Sequence, residues 1–174
     1  MDDFNIKIEY KHVPRFDSGS DESIDYLERE GYVIIKNALT ANEASKTLDL
    51  LWDYLENLGT GIDRANPMTW SDDKWPTCAH GGIIPSYGIG HSEAQWFVRG
   101  VPNVKKAFAK VWGTNDLLTS FDGVSLWRPW NIDPSWKTQS GQAWFHIDQH
   151  PISKPGKQCI QGLINLLPLS LIHI

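Results

Sequence analysis

Apolar residues recur at helical spacing in the segment that follows Thr40. Thr40 and Glu43 match a capping box, in which the hydroxyl and the carboxylate each bind a free backbone N–H of the first turn. Gly59 is placed to end the helix. The pattern therefore predicts an amphipathic helix between Thr40 and Gly59, whose apolar face consists of Ala44, Leu48, Leu51, Leu55 and Leu58.

Two further helices are predicted by period and by stop signals. One covers about residues 23–30 and ends at Gly31. The other begins near Pro102 or Asn103 and ends before Gly113, with Val104, Phe108, Val111 and Trp112 on one face. Between the helices, residues 60–95 show no period and contain many glycines and prolines, which predicts a long irregular region.

The strand-like segments lie mainly in the second half of the chain. Residues 32–35 predict a buried strand near the start, and residues 1–20 predict a weakly ordered segment. Further segments rich in β-formers are separated by Gly, Pro, Asp and Ser, at 117–121, 124–127, 142–147 and 159–167. Helices followed by strands indicate an α+β fold, with helices backing one face of a sheet or jelly roll.

Charge and hydropathy narrow the possible partners. The 174 residues carry a net charge of −5 without a basic stripe, so we expect no nucleic-acid partner. The apolar runs are too short to cross a bilayer, so we expect no membrane partner. The chain begins Met1-Asp2-Asp3 rather than with a basic, then apolar, signal peptide. These features predict a cytoplasmic protein.

The cysteines and the tryptophans each allow more than one interpretation. Two cysteines are too few for a disulfide framework, and Cys78 with His80 forms half a metal site that no second pair completes. The nine tryptophans lie mostly between Trp70 and Trp144. They are expected either to cover a sheet or to line an aromatic substrate mouth.

The pair His146 and Asp148 carries the clearest chemical signal. In a strand these side chains share one face, and together they supply two members of the 2-His-1-carboxylate set that binds Fe(II). The same spacing also arises from a strand-edge histidine and a turn aspartate. His150 extends the pattern to three donors and allows a hydrolytic metal site instead, although Pro151 follows at once and favours a turn away.

Over about residues 22–168 the chain resembles the phytanoyl-CoA dioxygenase-like family of Fe(II), 2-oxoglutarate-dependent dioxygenases. The individual motifs are loose, and the resemblance depends on their order and spacing. Besides the strand 32–35 and the capped helix after Thr40, they are Glu30-Gly31, Trp96-Phe97-Val98-Arg99, Trp112-Gly113-Thr114, Ser120-Phe121-Asp122-Gly123, His146-Ile147-Asp148 and Gln161-Gly162-Leu163-Ile164-Asn165-Leu166.

The resemblance implies a double-stranded β-helix, a cupin-like jelly roll with N-terminal helices backing the sheet. It implies Fe(II) held by His146 and Asp148, with 2-oxoglutarate and O₂ as co-substrates and ascorbate as an accessory reductant. A carboxylate at Asp148 implies hydroxylation, because related halogenases need a small residue there to admit halide. Asn165 is our candidate for a polar contact to 2-oxoglutarate, and a strand-end amide that caps backbone is the alternative.

The family's second iron-binding histidine and its 2-oxoglutarate-binding arginine lie on later strands. We therefore expect residues 21–168 to be a C-terminally truncated, partial dioxygenase domain with an incomplete β-helix. Residues 169–174 match the peptide that a transposon mosaic-end sequencing adapter encodes, so we expect a non-native tail there, the alternative being a genuine apolar strand. Two other functions stay open: a metal-dependent hydrolase using His146, Asp148 and His150, and a non-catalytic β-helix binding domain.

Overall fold

The computed structural model describes residues 12–79, 82–137, 146, 148–150 and 152–168. These residues fall into two compact units. The first comprises residues up to 40 together with 101–117, and the second comprises 41–100 together with the residues from 118 onward. None of the described helices is long and apolar enough to span a membrane.

The described residues contain α-helices and very short strands, an α+β composition. The strands are β1 (Arg15–Phe16), β2 (Ile34–Ile35), β3 (Ile83–Ile84) and β4 (Val124–Ser125). The α-helices are α1 (Asp21–Glu30), α2 (Ala41–Glu56), α3 (Glu93–Gly100) and α4 (Pro102–Trp112). Short 3₁₀ helices cover Pro67–Thr69, Ile89–His91 and Pro134–Trp136.

The first unit combines α1 and α4 with a parallel pair of strands. β1 pairs with β2 in the register Arg15 to Ile34. The Ser20 hydroxyl caps α1 by accepting a hydrogen bond from the N–H of Ser23 at 3.2 Å. Gly31 ends α1 at φ +78°, a left-handed conformation that glycine adopts without a steric penalty. An ion pair between Asp21 and Lys110 joins α1 to α4.

The second unit is built around α2, which packs against α3. One buried cluster consists of Leu51, Ile84, Ile89 and Ala94. A second cluster consists of Leu55, Ile62 and Trp75. The exposed fraction of Leu55 is 1%, so α2 contributes fully buried side chains to the core of this unit. Burying an apolar side chain of this size stabilises the fold by about 1.5–3 kcal/mol.

The antiparallel pair of β3 and β4 lies against this core. Its register places Ile84 opposite Val124. Gly123 is required by close packing, because a Cβ there would lie 2.3 Å from the carbonyl oxygen of Ile84. Gly82 is similarly restricted by the indole ring of Trp127. Glycines in strands commonly mark such close approaches.

The structure confirms the three predicted helices, with α2 ending at Glu56 and Leu58 lying beyond it. It adds α3, which the sequence did not predict because this helix begins at the end of the region rich in Gly and Pro. The irregular region is also less uniform than expected, since it contains β3 and two 3₁₀ helices. Residues 12–20, predicted to be weakly ordered, include β1.

Two of the predicted strands are wrong as local structure. Residues 117–121 and 159–167 contain no assigned strand, because no neighbouring strand among the described residues pairs with them. Residues 124–127 contain only the two-residue β4. Of the predicted strand 142–147 only residue 146 is described, and the expected tail 169–174 also lies outside the described residues. The double-stranded β-helix stays a prediction.

Candidate metal centre

The segment that carries the candidate ligands turns back on itself within a few residues. The N–H of Lys154 donates to the carbonyl oxygen of His150 at 3.0 Å. The N–H of Ser153 donates to Nδ1 of His150 at 3.1 Å. Gly156 has φ +77°, which only glycine adopts without strain. These contacts reverse the chain between residues 150 and 156.

The side chain of Gln149 closes this loop. Its Nε2 donates to the carbonyl oxygen of Lys154 at 2.6 Å and to that of Gly156. Its Oε1 accepts a hydrogen bond from the N–H of Gln158 at 3.0 Å. The two N–H groups and the oxygen of the Gln149 carboxamide therefore all bind backbone groups. Without these contacts, those backbone groups would be hydrogen-bonded to water.

His146 and Asp148 lie side by side, although neither residue is in an assigned strand. His146 Nε2 is 3.2 Å from Asp148 Oδ1, and the side chains are 41% and 47% exposed. Nitrogen and oxygen ligands lie about 2.0–2.2 Å from a divalent metal such as zinc, so two adjacent ligands at a right angle are about 3 Å apart. The spacing therefore fits two neighbouring ligands of one metal ion, and it is also that of a direct hydrogen bond between the two side chains. Within the described residues no third His, Cys, Asp or Glu completes a group of three.

Gln161 is a contact of this site that the sequence analysis missed. Its Nε2 donates a hydrogen bond to Asp148 Oδ2, the oxygen that does not face His146. A signal for it was present. Pro155 and Gly156 mark a turn, and Asp148 and Gln161 each lie six residues from the central pair formed by Lys154 and Pro155. A hairpin closed at that turn brings Gln161 opposite Asp148.

The structure separates His150 from the pair. Its Nδ1 accepts the N–H of Ser153, so this nitrogen is used in the turn. His150 does not join His146 and Asp148 in a three-residue metal group within the described part of the chain. Asn165, the candidate for a 2-oxoglutarate contact, is exposed and lies four residues beyond Gln161.

Cys78, the other candidate metal ligand from the sequence, lies in different surroundings. Cys78 is partly buried, its thiol donates to the carbonyl oxygen of Pro76 at 3.2 Å, and burial raises its pKa. A protonated thiol is a poor metal ligand, and His80 lies outside the described residues. The ring of His91 stacks on Phe121 with centroids 4.1 Å apart.

The tryptophans divide into a packed group and an exposed group. Trp52 and Trp70 pack with ring centroids 5.1 Å apart, and Trp75 is buried beside them. Arg128 binds this region, since its guanidinium donates to the carbonyl oxygen of Trp70 at 2.7 Å and lies 4.6 Å from the ring centre of Trp136. Packing therefore explains this first group. Among the described tryptophans, those exposed are Trp96, Trp127 and Trp130.

Two relatives are similar to this chain. An Aspergillus versicolor protein named "Ava biosynthesis cluster protein O" is 35% identical over 162 residues, which cover 93% of this chain and 50% of that protein. A Dictyostelium discoideum protein named "Putative phytanoyl-CoA dioxygenase" is 28% identical over 137 residues, which cover 76% of this chain and 38% of that protein. The chain thus spans half or less of their lengths. No protein-family profile and no solved structure matches it.

Proposed function

We propose that this chain is part of a non-haem Fe(II), 2-oxoglutarate-dependent oxygenase of the phytanoyl-CoA dioxygenase-like kind. The observation that carries the proposal is the His146–Asp148 pair, whose facing atoms are spaced as two ligands of one metal ion. Similarity to a relative named as a dioxygenase supports it. The name of the other relative, a biosynthesis cluster protein, fits a small-molecule substrate.

His146 and Asp148 differ in what they offer a metal ion. His146 supplies a neutral nitrogen donor, and Asp148 supplies an anionic oxygen that offsets one of the two positive charges of Fe(II). Both side chains are only half buried, so co-substrates have access to the pair. Fe(II) held there would supply the chemistry that replaces a substrate C–H bond by C–OH, with O₂ as the oxidant, 2-oxoglutarate as the source of the two further electrons and ascorbate keeping the iron in the Fe(II) state.

Residues 163–167 contain Asn165, the candidate contact to 2-oxoglutarate. Along residues 163–167 burial alternates, with Ile164 and Leu166 half buried and Leu163, Asn165 and Leu167 exposed. Leu166 packs on the core that contains Leu51, so the alternation turns one side of this segment toward the core without an assigned strand. Asn165 lies on the exposed side, where its amide is available to contact 2-oxoglutarate. The carboxylate of Asp148 favours hydroxylation of a small-molecule or acyl substrate.

The proposal is tested by measuring how residues 1–174 bind Co(II), an oxygen-stable substitute for Fe(II), in calorimetric titrations. We expect weak binding, because two protein donors are available in the described part of the chain. His146→Ala and Asp148→Ala should each remove most of the affinity, whereas His150→Ala and the control His91→Ala should retain it. Added 2-oxoglutarate should tighten Co(II) binding, because each ligand then increases affinity for the other.

The alternatives give different results in the same titration. A hydrolytic site that uses His150 would lose Co(II) affinity in His150→Ala as severely as in Asp148→Ala and would not respond to 2-oxoglutarate. A β-helix used only for binding would take up no Co(II) at this pair. Either result would overturn the proposed function.

A further inference from the structure

We infer that Gln161 is a positioning residue for Asp148, and that the loop closed by the Gln149 side chain holds Gln161 within hydrogen-bonding reach of the Asp148 carboxylate. The inference rests on the proposed metal site at His146 and Asp148. Gln161 would contact the ligand Asp148 and not the metal ion itself. Its consequence is that metal affinity depends on a neutral side chain outside the ligand set.

The contact fixes the plane of the carboxylate and leaves one oxygen for the metal. The two oxygens are equivalent, but a carboxylate that rotates freely does not hold either of them toward His146. In this structure Oδ2 accepts the hydrogen bond of Gln161, while Oδ1 faces His146 Nε2 at 3.2 Å. Hydrogen bonds to ionised acceptors are about twice as strong as those between neutral groups. The contact therefore favours the one orientation in which Oδ1 and His146 Nε2 can share an ion.

An amide suits this position better than a cation. A lysine or arginine at residue 161 would pair with Asp148 and offset the negative charge that attracts a divalent metal. The amide of Gln161 donates a hydrogen bond without adding charge. Residues that orient metal ligands in this way typically change metal affinity about 10–100-fold when they are removed.

Gln149 restricts where Gln161 can lie relative to Asp148. Between Asp148 and Gln161 lie twelve residues, and the Gln149 carboxamide binds backbone groups of Lys154, Gly156 and Gln158 within that stretch. Each of these hydrogen bonds restricts the conformations of the loop that brings the chain back to Asp148. The two glutamines therefore have different roles, because one contacts the carboxylate directly and the other fixes the path between them.

The test compares two glutamines that differ in contact but not in chemistry. Gln161→Met keeps side-chain length and removes the donor. Gln158→Met is the matched control, because the Gln158 side chain donates to the carbonyl oxygen of Pro155 rather than to Asp148. Co(II) affinity of residues 1–174 should fall about 10–100-fold in Gln161→Met and stay at the wild-type value in Gln158→Met. Far-UV circular dichroism, which reports α1–α4, should be the same for all three proteins.

A second variant separates direct contact from general polarity. Gln161→Asn keeps the amide but shortens the side chain by one methylene, so its donor should not reach Oδ2 and the affinity should fall as in Gln161→Met. Wild-type affinity in both Gln161 variants, with loss in His146→Ala and Asp148→Ala, would overturn this inference and leave the proposed function intact. Unchanged affinity in Asp148→Ala would instead overturn the proposed function.

Discussion

Two regions of the second unit are held together by different means. The region of α2, α3 and the β3–β4 pair is organised by buried apolar side chains such as Leu51, Leu55 and Ile84. In the segment 146–168 no described residue is fully buried, and that segment contains no helix or strand among its described residues. Its order comes from hydrogen bonds of glutamine side chains, above all those of Gln149.

The difference shows how stability and chemistry are divided along the chain. A buried leucine contributes about 1.5–3 kcal/mol, roughly twice the 0.5–1.5 kcal/mol that a typical hydrogen bond adds net of its competition with water. The helical region can therefore fix the fold. The segment with His146 and Asp148 keeps its polar groups accessible, which a metal ion and its co-substrates require.

The largest contrast should come from truncating a buried leucine of the helical region and an exposed leucine elsewhere in the same unit. Leu55→Ala removes a side chain that is 1% exposed and packs with Ile62 and Trp75. It should lower the free energy of unfolding by about 2–5 kcal/mol, because a cavity remains. Leu118→Ala, at a fully exposed position of the same unit, should change it by less than about 0.5 kcal/mol. Urea unfolding measures both, and equal losses would contradict the assignment of the core.

A smaller effect is expected from adding a methyl group to glycines of this unit. Gly123→Ala forces a Cβ to within 2.3 Å of the carbonyl oxygen of Ile84, so β3 and β4 must separate. The free energy of unfolding should fall by about 1–3 kcal/mol, as for other overpacked positions. Gly100→Ala is the control, because nothing lies within 4 Å of the position that its methyl group would take, and alanine favours the helical conformation. A neutral Gly123→Ala would show that the strand pair is not tightly packed.

The same two regions differ in how far their sequence predicts their structure. The helix with Leu51 and Leu55 was predictable because its period lies within the helix and its cap and stop signals lie within a few residues of its ends. α3 was missed because Gly88 and Gly90 just before it signal irregular structure. The strand expected at residues 159–167 depends on a partner strand, which local pattern cannot supply.

The candidate site was predictable to the same limited extent. The i, i+2 spacing placed His146 beside Asp148, and the structure brings their facing atoms to 3.2 Å. Gln161 was not predicted, because its contact depends on where the loop turns rather than on spacing within one strand. His150 remained ambiguous in sequence, and only the turn that engages its Nδ1 assigns it a local role.

The two cysteines provide a chemical probe of the comparison, one in each region. Cys78 packs beside the buried clusters of the helical region, and burial raises its pKa, so its thiolate fraction near pH 8 is reduced. Cys159 is exposed within the segment 146–168. A disulfide reagent should therefore modify Cys159 first, as followed with Cys78→Ser and Cys159→Ser. Denaturant should remove the difference, and faster reaction of Cys78 in the folded chain would contradict its burial.

The smallest effect on stability should come from the loop of the site. Gln149→Met removes three hydrogen bonds, but water can replace them in this poorly buried segment, so the free energy of unfolding should fall by about 1 kcal/mol, less than the sum for three typical hydrogen bonds. Co(II) affinity should nevertheless decrease, because Gln161 loses its fixed path to Asp148. Urea unfolding and calorimetric titration of the same variant check the two statements. A large loss of stability would show that this loop belongs to the folding core.

Paramagnetic line broadening tests most directly whether His146 and Asp148 bind a metal ion. Small amounts of Mn(II) are added to uniformly ¹⁵N-labelled residues 1–174, and the loss of each amide signal is followed. The proposed site predicts that the amides of His146, Asp148, Gln149 and Gln161 lose intensity first, and that Asp148→Ala abolishes this selectivity. Greatest broadening elsewhere, for example at the exposed carboxylates Asp72 and Asp73, would contradict the metal centre.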